Sequence, residues 1–152
     1  MGARVTNPEA RYRIGEIAEA AGVSTRTLRY YEELGLLSPS GHSPGGARRY
    51  SDADLARVLR IRELQHLVGF NLDEIKTIVA AEARLDELRS EYKAGGPPQR
   101  ERELVTEAIE INDRLRENMQ AKLARLETFV ADLDARAALY RRRAKEPKRA
   151  KR

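Results

Sequence analysis

The sequence predicts a mainly α protein: a winged helix-turn-helix domain followed by a long coiled-coil helix. Three observations carry this. Two short amphipathic stretches are broken only by Ala21-Gly22-Val23. A Gly/Pro/Ser-rich stretch separates Leu36-Leu37 from Arg48-Arg49-Tyr50. An apolar seam at heptad spacing follows the last Gly/Pro break. With 5% aromatic and 35% charged residues, the composition suits helices with wet outer faces rather than a sheet protein.

Residues 1–11 show no periodicity and are expected to be a loose lead-in. From Tyr12 the pattern tightens. Ile14, Ile17, Ala18 and Ala21 fall on one helical face, Gly22 ends that helix, and Ser24 is a good N-cap for a second one running to about Leu34. Helices so joined describe a helix-turn-helix, whose second helix is shaped to enter a major groove. Ser38-Pro-Ser-Gly-His-Ser-Pro-Gly-Gly-Ala then reads as the loop of a small hairpin, or wing.

Ser51-Asp-Ala-Asp opens a third helix, ending near Gly69, and Asn71 caps a fourth that starts Leu72-Asp-Glu-Ile and extends toward Tyr92. Two glycines and two prolines in Ala94-Gly-Gly-Pro-Pro break the pattern, which places a boundary there. Beyond it, residues 99–143 form one helical stretch. Leu104, Ala108, Ile111 and Leu115 follow 4-3-4 spacing, Met119 and Leu123 come at steps of four, and Leu126, Val130, Leu133, Ala137 and Tyr140 resume the heptad. This is a dimerisation seam with one stutter near Met119. The expected divisions are thus 1–11, a domain over 12–82, an extension and linker over 83–98, the coiled-coil helix over 99–143, and a basic tail over 144–152.

The net charge of +5 is unevenly spread. Residues 1–62 hold 10 Lys/Arg against 7 Asp/Glu, residues 63–140 hold 11 against 16, and the last twelve hold 8 against 1. Two basic ends flank an acidic middle, so a polyanion is expected at the ends. The absence of cysteine excludes thiolate metal sites, disulfides and thiol redox sensing. His42 and His66 are too far apart in sequence for a metal site, and no cofactor is implied. No apolar run suits a membrane span or signal peptide, so a cytoplasmic protein is expected. With no nucleophile-base-acid set and no phosphate loop, an enzyme is not expected.

The ordered set Tyr12-Arg-Ile-Gly-Glu-Ile-Ala-Glu-Ala-Ala-Gly-Val-Ser, Thr27-Leu-Arg-Tyr-Tyr-Glu, Gly35-Leu-Leu, Arg48-Arg-Tyr-Ser and Gly69-Phe-Asn-Leu-Asp-Glu-Ile closely resembles the MerR family of bacterial regulators. The likeness is strong over residues 12 to about 80 and only architectural over 99–140. It implies a homodimer, joined through antiparallel long helices, on a near-palindromic operator in double-stranded promoter DNA. The dimer would bend and untwist the promoter, so that RNA polymerase is served indirectly, with contact energy offsetting the deformation cost. The sequence departs from the commonest family spacing between Leu55 and Gly69, where it is one residue longer.

Ser24, Thr25 and Arg26 lie on the first turn of the second helix, the end that meets base edges. Arg26 can donate two hydrogen bonds to guanine, while Ser24 serves either as a cap or as a contact. The resemblance places Arg29 and Tyr30 on DNA; Tyr31, about 100° round the helix from Tyr30, and Tyr50 are assigned to packing. Arg48 is expected on phosphate; Arg49 is either a second phosphate contact or a solvated edge. Arg57 and Arg60 are candidates for a second wing. The basic tail either adds nonspecific DNA affinity or is merely solvated.

Sensing relatives place cysteines near the start of the long helix, where this chain has Gly95-Gly-Pro-Pro-Gln; drug-binding relatives carry a ligand domain after the coiled coil, where this chain has a basic tail. A small-molecule effector, if one exists, is not written in the sequence. Two other classes compete with a promoter regulator: an architectural DNA-binding protein, and a coiled-coil adaptor with a degenerate head.

Overall fold

The computed structural model describes residues 9–67 and 69–146. The lead-in before Glu9 and the tail after Glu146 lie outside the described residues. Among the described residues five helices and one small hairpin follow the order α1 Ile14–Ala21, α2 Thr25–Glu33, β1 Gly41–His42, β2 Arg48–Arg49, α3 Asp52–Leu67, α4 Leu72–Ala94 and α5 Pro98–Lys145. Mainly helical architecture with a wing is therefore what the chain adopts.

Local chemistry fixes each helix end. The Glu16 carboxylate accepts from the Arg13 backbone N–H at 2.7 Å and closes the first turn of α1. At the other end Gly22 adopts φ 65°, and the Val23 N–H returns to the Ala18 carbonyl at 2.9 Å. Ser24 Oγ accepts from the Thr27 N–H at 3.0 Å and starts α2. Reciprocal boxes open the next two helices: Ser51 with Asp54, and Asn71 with Glu74. Pro98 occupies the first turn of α5, where a missing N–H costs nothing.

The wing pairs Gly41 with Arg49 and His42 with Arg48 in antiparallel register. Ser43 closes its tip, donating its N–H to the Ala47 carbonyl at 2.7 Å and accepting the Ala47 N–H on Oγ at 3.1 Å. Tyr12 adds a further rung that its position in the sequence did not announce: the backbones of Tyr12 and Tyr50 exchange two hydrogen bonds, each 2.9 Å. Ser40 Oγ donates to the Asp54 carboxylate at 2.5 Å, fastening the base of the wing to the start of α3.

The chain divides into two compact units, one up to Glu87 and one from Leu88 on, so the division falls inside α4. In the first, α1 packs on α2 and α3. Its core is Ile17, Ala18, Ala21, Leu28, Tyr31, Leu36, Leu37, Tyr50, Val58, Ile61, Leu64, Ile75, Ile78 and Val79. Burying each large member is worth about 1.5–3 kcal/mol before entropy is counted. Tyr31 and Tyr50 are core residues, as the sequence suggested.

In the second unit Leu88 and Leu104 are buried, and Arg100 grips Glu91 with two hydrogen bonds of 2.7 and 3.0 Å across the α4–α5 turn. At 48 residues α5 is about 72 Å long. Its expected seam is not uniform. Leu104 is already covered within the chain, so its apolar surface has no need of a second helix. Ala108, Ile111, Leu115, Met119 and Ala137 are half-buried, whereas Leu123, Leu126, Val130, Leu133 and Tyr140 are 44–62% exposed. Phe129, outside the heptad positions, widens the exposed stripe.

Candidate nucleic-acid interface

α2 has two faces because its sequence alternates chemistry at helical spacing. Leu28 and Tyr31 point into the core. Arg26, Arg29, Tyr30 and Glu33, at i, i+3, i+4 and i+7, share the open side and with Thr27 line a depression of about 540 Å³. The guanidinium groups of Arg26 and Arg29 have no hydrogen bond or ion pair among the described residues, and Tyr30 is 48% exposed. Two cations and a phenol are therefore held on one helix face with their polar groups unclaimed among the described residues. Thr25 is exposed beside them. Ser24 differs, since its hydroxyl caps α2 and also lies 2.9 Å from Thr27 Oγ1.

The wing comes up against the same helix. Arg29, Glu32, Glu33 and Arg48 line a second hollow of about 280 Å³. Arg48 Nε lies 3.3 Å from Glu32 Oε2, and the arginine side chain remains 51% exposed. The other Glu32 oxygen, Oε1, accepts the Tyr50 hydroxyl. Burial pushes the Tyr50 phenol above its ordinary pKa, and the neighbouring Glu32 carboxylate adds to the shift. Arg49 is half-buried, with one guanidinium N–H on the Arg48 carbonyl at 3.3 Å.

The arginines of α3 behave differently. Arg57 donates from Nε to the Leu36 carbonyl, which follows α2. Arg60 forks onto Glu82 of α4 at 2.6–3.2 Å and reaches Glu63 at 2.6 Å, and these carboxylates, Glu82 first, raise its pKa. Arg62 donates to the Ala21 carbonyl at the end of α1. Of the expected contacts, then, Arg26, Arg29, Tyr30 and Arg48 are brought together, while Arg57 and Arg60 are engaged internally. An arginine stripe on a partly buried helix meets orphan carbonyls and carboxylates before it meets solvent.

Sequence reasoning passed over Glu32. It lies one turn beyond Leu28, on the buried side of α2, where a carboxylate must find donors. His42 and His66 are both exposed, and no group of three metal-ligating side chains occurs among the described residues. No described helix is long and apolar enough to cross a membrane.

Comparison with known proteins gives a consistent picture. The profile of the MerR HTH family regulatory proteins matches residues 12–82. A mercuric resistance operon regulatory protein from Shigella flexneri is 38% identical over 120 residues, covering 79% of this chain and 72% of that one. The nodulation protein NolA of Bradyrhizobium sp. (strain NC92) is 39% identical over 113 residues, covering 74% of this chain and 45% of its own. Among solved structures, the N-terminal part of MtaN, the multidrug transporter activator of Bacillus subtilis, aligns with a TM-score of 0.44 at 29% identity, covering 79% of this chain and 98% of that one. Of several curated relatives the chain spans half the length or less.

Proposed function

The chain belongs to the MerR family of helix-turn-helix regulatory proteins, and on that premise we propose that it is a sequence-specific transcription regulator acting on double-stranded promoter DNA. One observation carries the reading: Arg26 and Arg29 stand without a side-chain partner among the described residues, on the outer face of a helix whose inner face is core. Unpaired guanidinium groups at that position can read guanine edges or grip phosphate. Arg48, across the hollow from Arg29, supplies a backbone contact one element away.

The protein acts as a homodimer on a near-palindromic operator, its two α5 helices antiparallel. The exposed run from Leu123 to Tyr140 supports this, because a seam of that length left in water is an association surface. The dimer bends and untwists the promoter, and polymerase responds to the altered DNA. The basic tail adds nonspecific affinity. The sequence specifies no effector, whether small molecule or partner protein.

Genome-wide mapping of bound sites, followed by footprinting with polymerase, tests the reading. One or a few near-palindromic sites between promoter elements are expected. Dispersed coverage would favour an architectural protein, and full function after Arg26, Arg29 and Arg48 are all changed to Ala would favour an adaptor.

A further inference from the structure

We infer that Glu32 is a positioning residue that presents the wing arginine Arg48 to DNA phosphate; this rests on the reading of α2 and the wing as the DNA-binding face. Glu32 is anchored on α2, so whatever its carboxylate holds is held in register with Arg26 and Arg29. Its side chain is only 12% exposed. One oxygen is fixed by the hydroxyl of Tyr50, itself fully buried, which leaves the other facing the wing.

Arg48 meets that second oxygen through Nε, at 3.3 Å. A guanidinium has five N–H donors in a planar fork, so engaging Nε leaves the outer edge able to take a second anion. The 51% exposure of Arg48 agrees with an outward-facing edge. A wing arginine left to itself would give up rotamer freedom on binding, whereas one already leaning on a fixed carboxylate gives up less. The chain Tyr50–Glu32–Arg48 therefore transmits the core's rigidity to a contact on the wing.

Two roles for Glu32 predict opposite signs. If its charge merely sits near DNA, removing that charge should tighten binding by relieving repulsion. As a positioning residue, Glu32→Gln should loosen binding, because the amide loses the ion pair that holds Arg48. The test measures affinity of the full chain for the footprinted operator fragment and for a scrambled duplex of equal length. Glu32→Gln is expected to weaken operator binding roughly tenfold. The double variant with Arg48→Ala should bind no worse than Arg48→Ala alone. Phosphate-ethylation interference at the wing should fade while that opposite Arg26 and Arg29 persists, a pattern that general loss of structure would not give.

Unchanged or tighter binding by Glu32→Gln overturns the inference, as does additivity with Arg48→Ala. Should Glu32→Gln fail to fold, Arg48→Lys carries the test. A lysine cannot hold a carboxylate and a phosphate on two separate edges, so it should bind like Arg48→Ala, and wild-type affinity would overturn the proposal. If Arg26→Ala and Arg29→Ala bind as well as the wild type, the reading of the whole face fails instead.

Discussion

Arg62, on α3, donates from its guanidinium to the backbone carbonyl of Ala21, the last residue of α1. The same guanidinium crowds the glycine that follows. A Cβ on Gly22 would lie 3.0 Å from Arg62 Nη1, on a backbone already at φ +65°. Gly22→Ala should destabilise the domain by about 1–2 kcal/mol from the left-handed conformation alone, and further if Arg62 is pushed off the carbonyl. Urea unfolding would show it as a lower midpoint with an unchanged slope.

The two groups of arginines should separate by assay. Arg26→Ala and Arg29→Ala are each expected to cost about 1–3 kcal/mol of operator binding without lowering the melting temperature. Arg60→Ala should leave the salt dependence of DNA binding unchanged. Its pair with Glu82 is partly exposed, so its loss should cost less than about 1 kcal/mol of stability. A drop in operator affinity for Arg60→Ala at constant stability would restore α3 to the contact surface.

The long helix offers a contrast within one element. Val130→Asp, in the exposed stripe, should shift the protein from dimer to monomer in sedimentation velocity while leaving the first unit folded. Leu104→Ala, at a buried position, should instead destabilise the chain itself by about 2–5 kcal/mol. If Leu104→Ala dissociated a dimer and cost no stability, the seam would begin there after all.

Alkaline and acid stability report on different groups. The Tyr50 and Tyr31 phenols are raised, mainly by burial. The folded state therefore holds their protons more tightly, and stability present below pH 10 should fall as pH rises beyond it. Tyr50→Phe should make that fall shallower. Asp52 is lowered, first by the Tyr12 hydroxyl at 2.7 Å and then by Arg11. Its contribution is present above the ordinary carboxylate pKa and is lost as pH drops through its own. Tyr12→Phe should move the Asp52 titration, followed by NMR, back upward.

Most helix limits could be read because they are written locally. Gly22, Ser24, Ser51, Asn71 and Pro98 each act within one turn of their own position. The open face of α2 was equally legible, since helical spacing alone sorts Arg26, Arg29 and Tyr30 from Leu28 and Tyr31. Pairings between distant residues were not. Nothing near Arg60 announces Glu82, and nothing near Arg57 announces the Leu36 carbonyl. Arginine reads as solvent-seeking until the fold supplies an acceptor. Leu104 shows the same limit, because heptad spacing cannot say whether a position is covered by its own chain or by another.

The rung between Tyr12 and Tyr50 has a practical consequence for anyone shortening or tagging the protein. The hairpin is only two residues long on each side, and an isolated ribbon of that size is marginal in water. A fragment beginning at Ile14 would keep every described helix yet strip the wing of its Tyr12 backbone partner. Amide exchange at Tyr50 should then quicken, and the fragment would carry an intact helix-turn-helix with a frayed accessory grip. An affinity tag or fluorophore is better joined upstream of Glu9, where that rung stays intact.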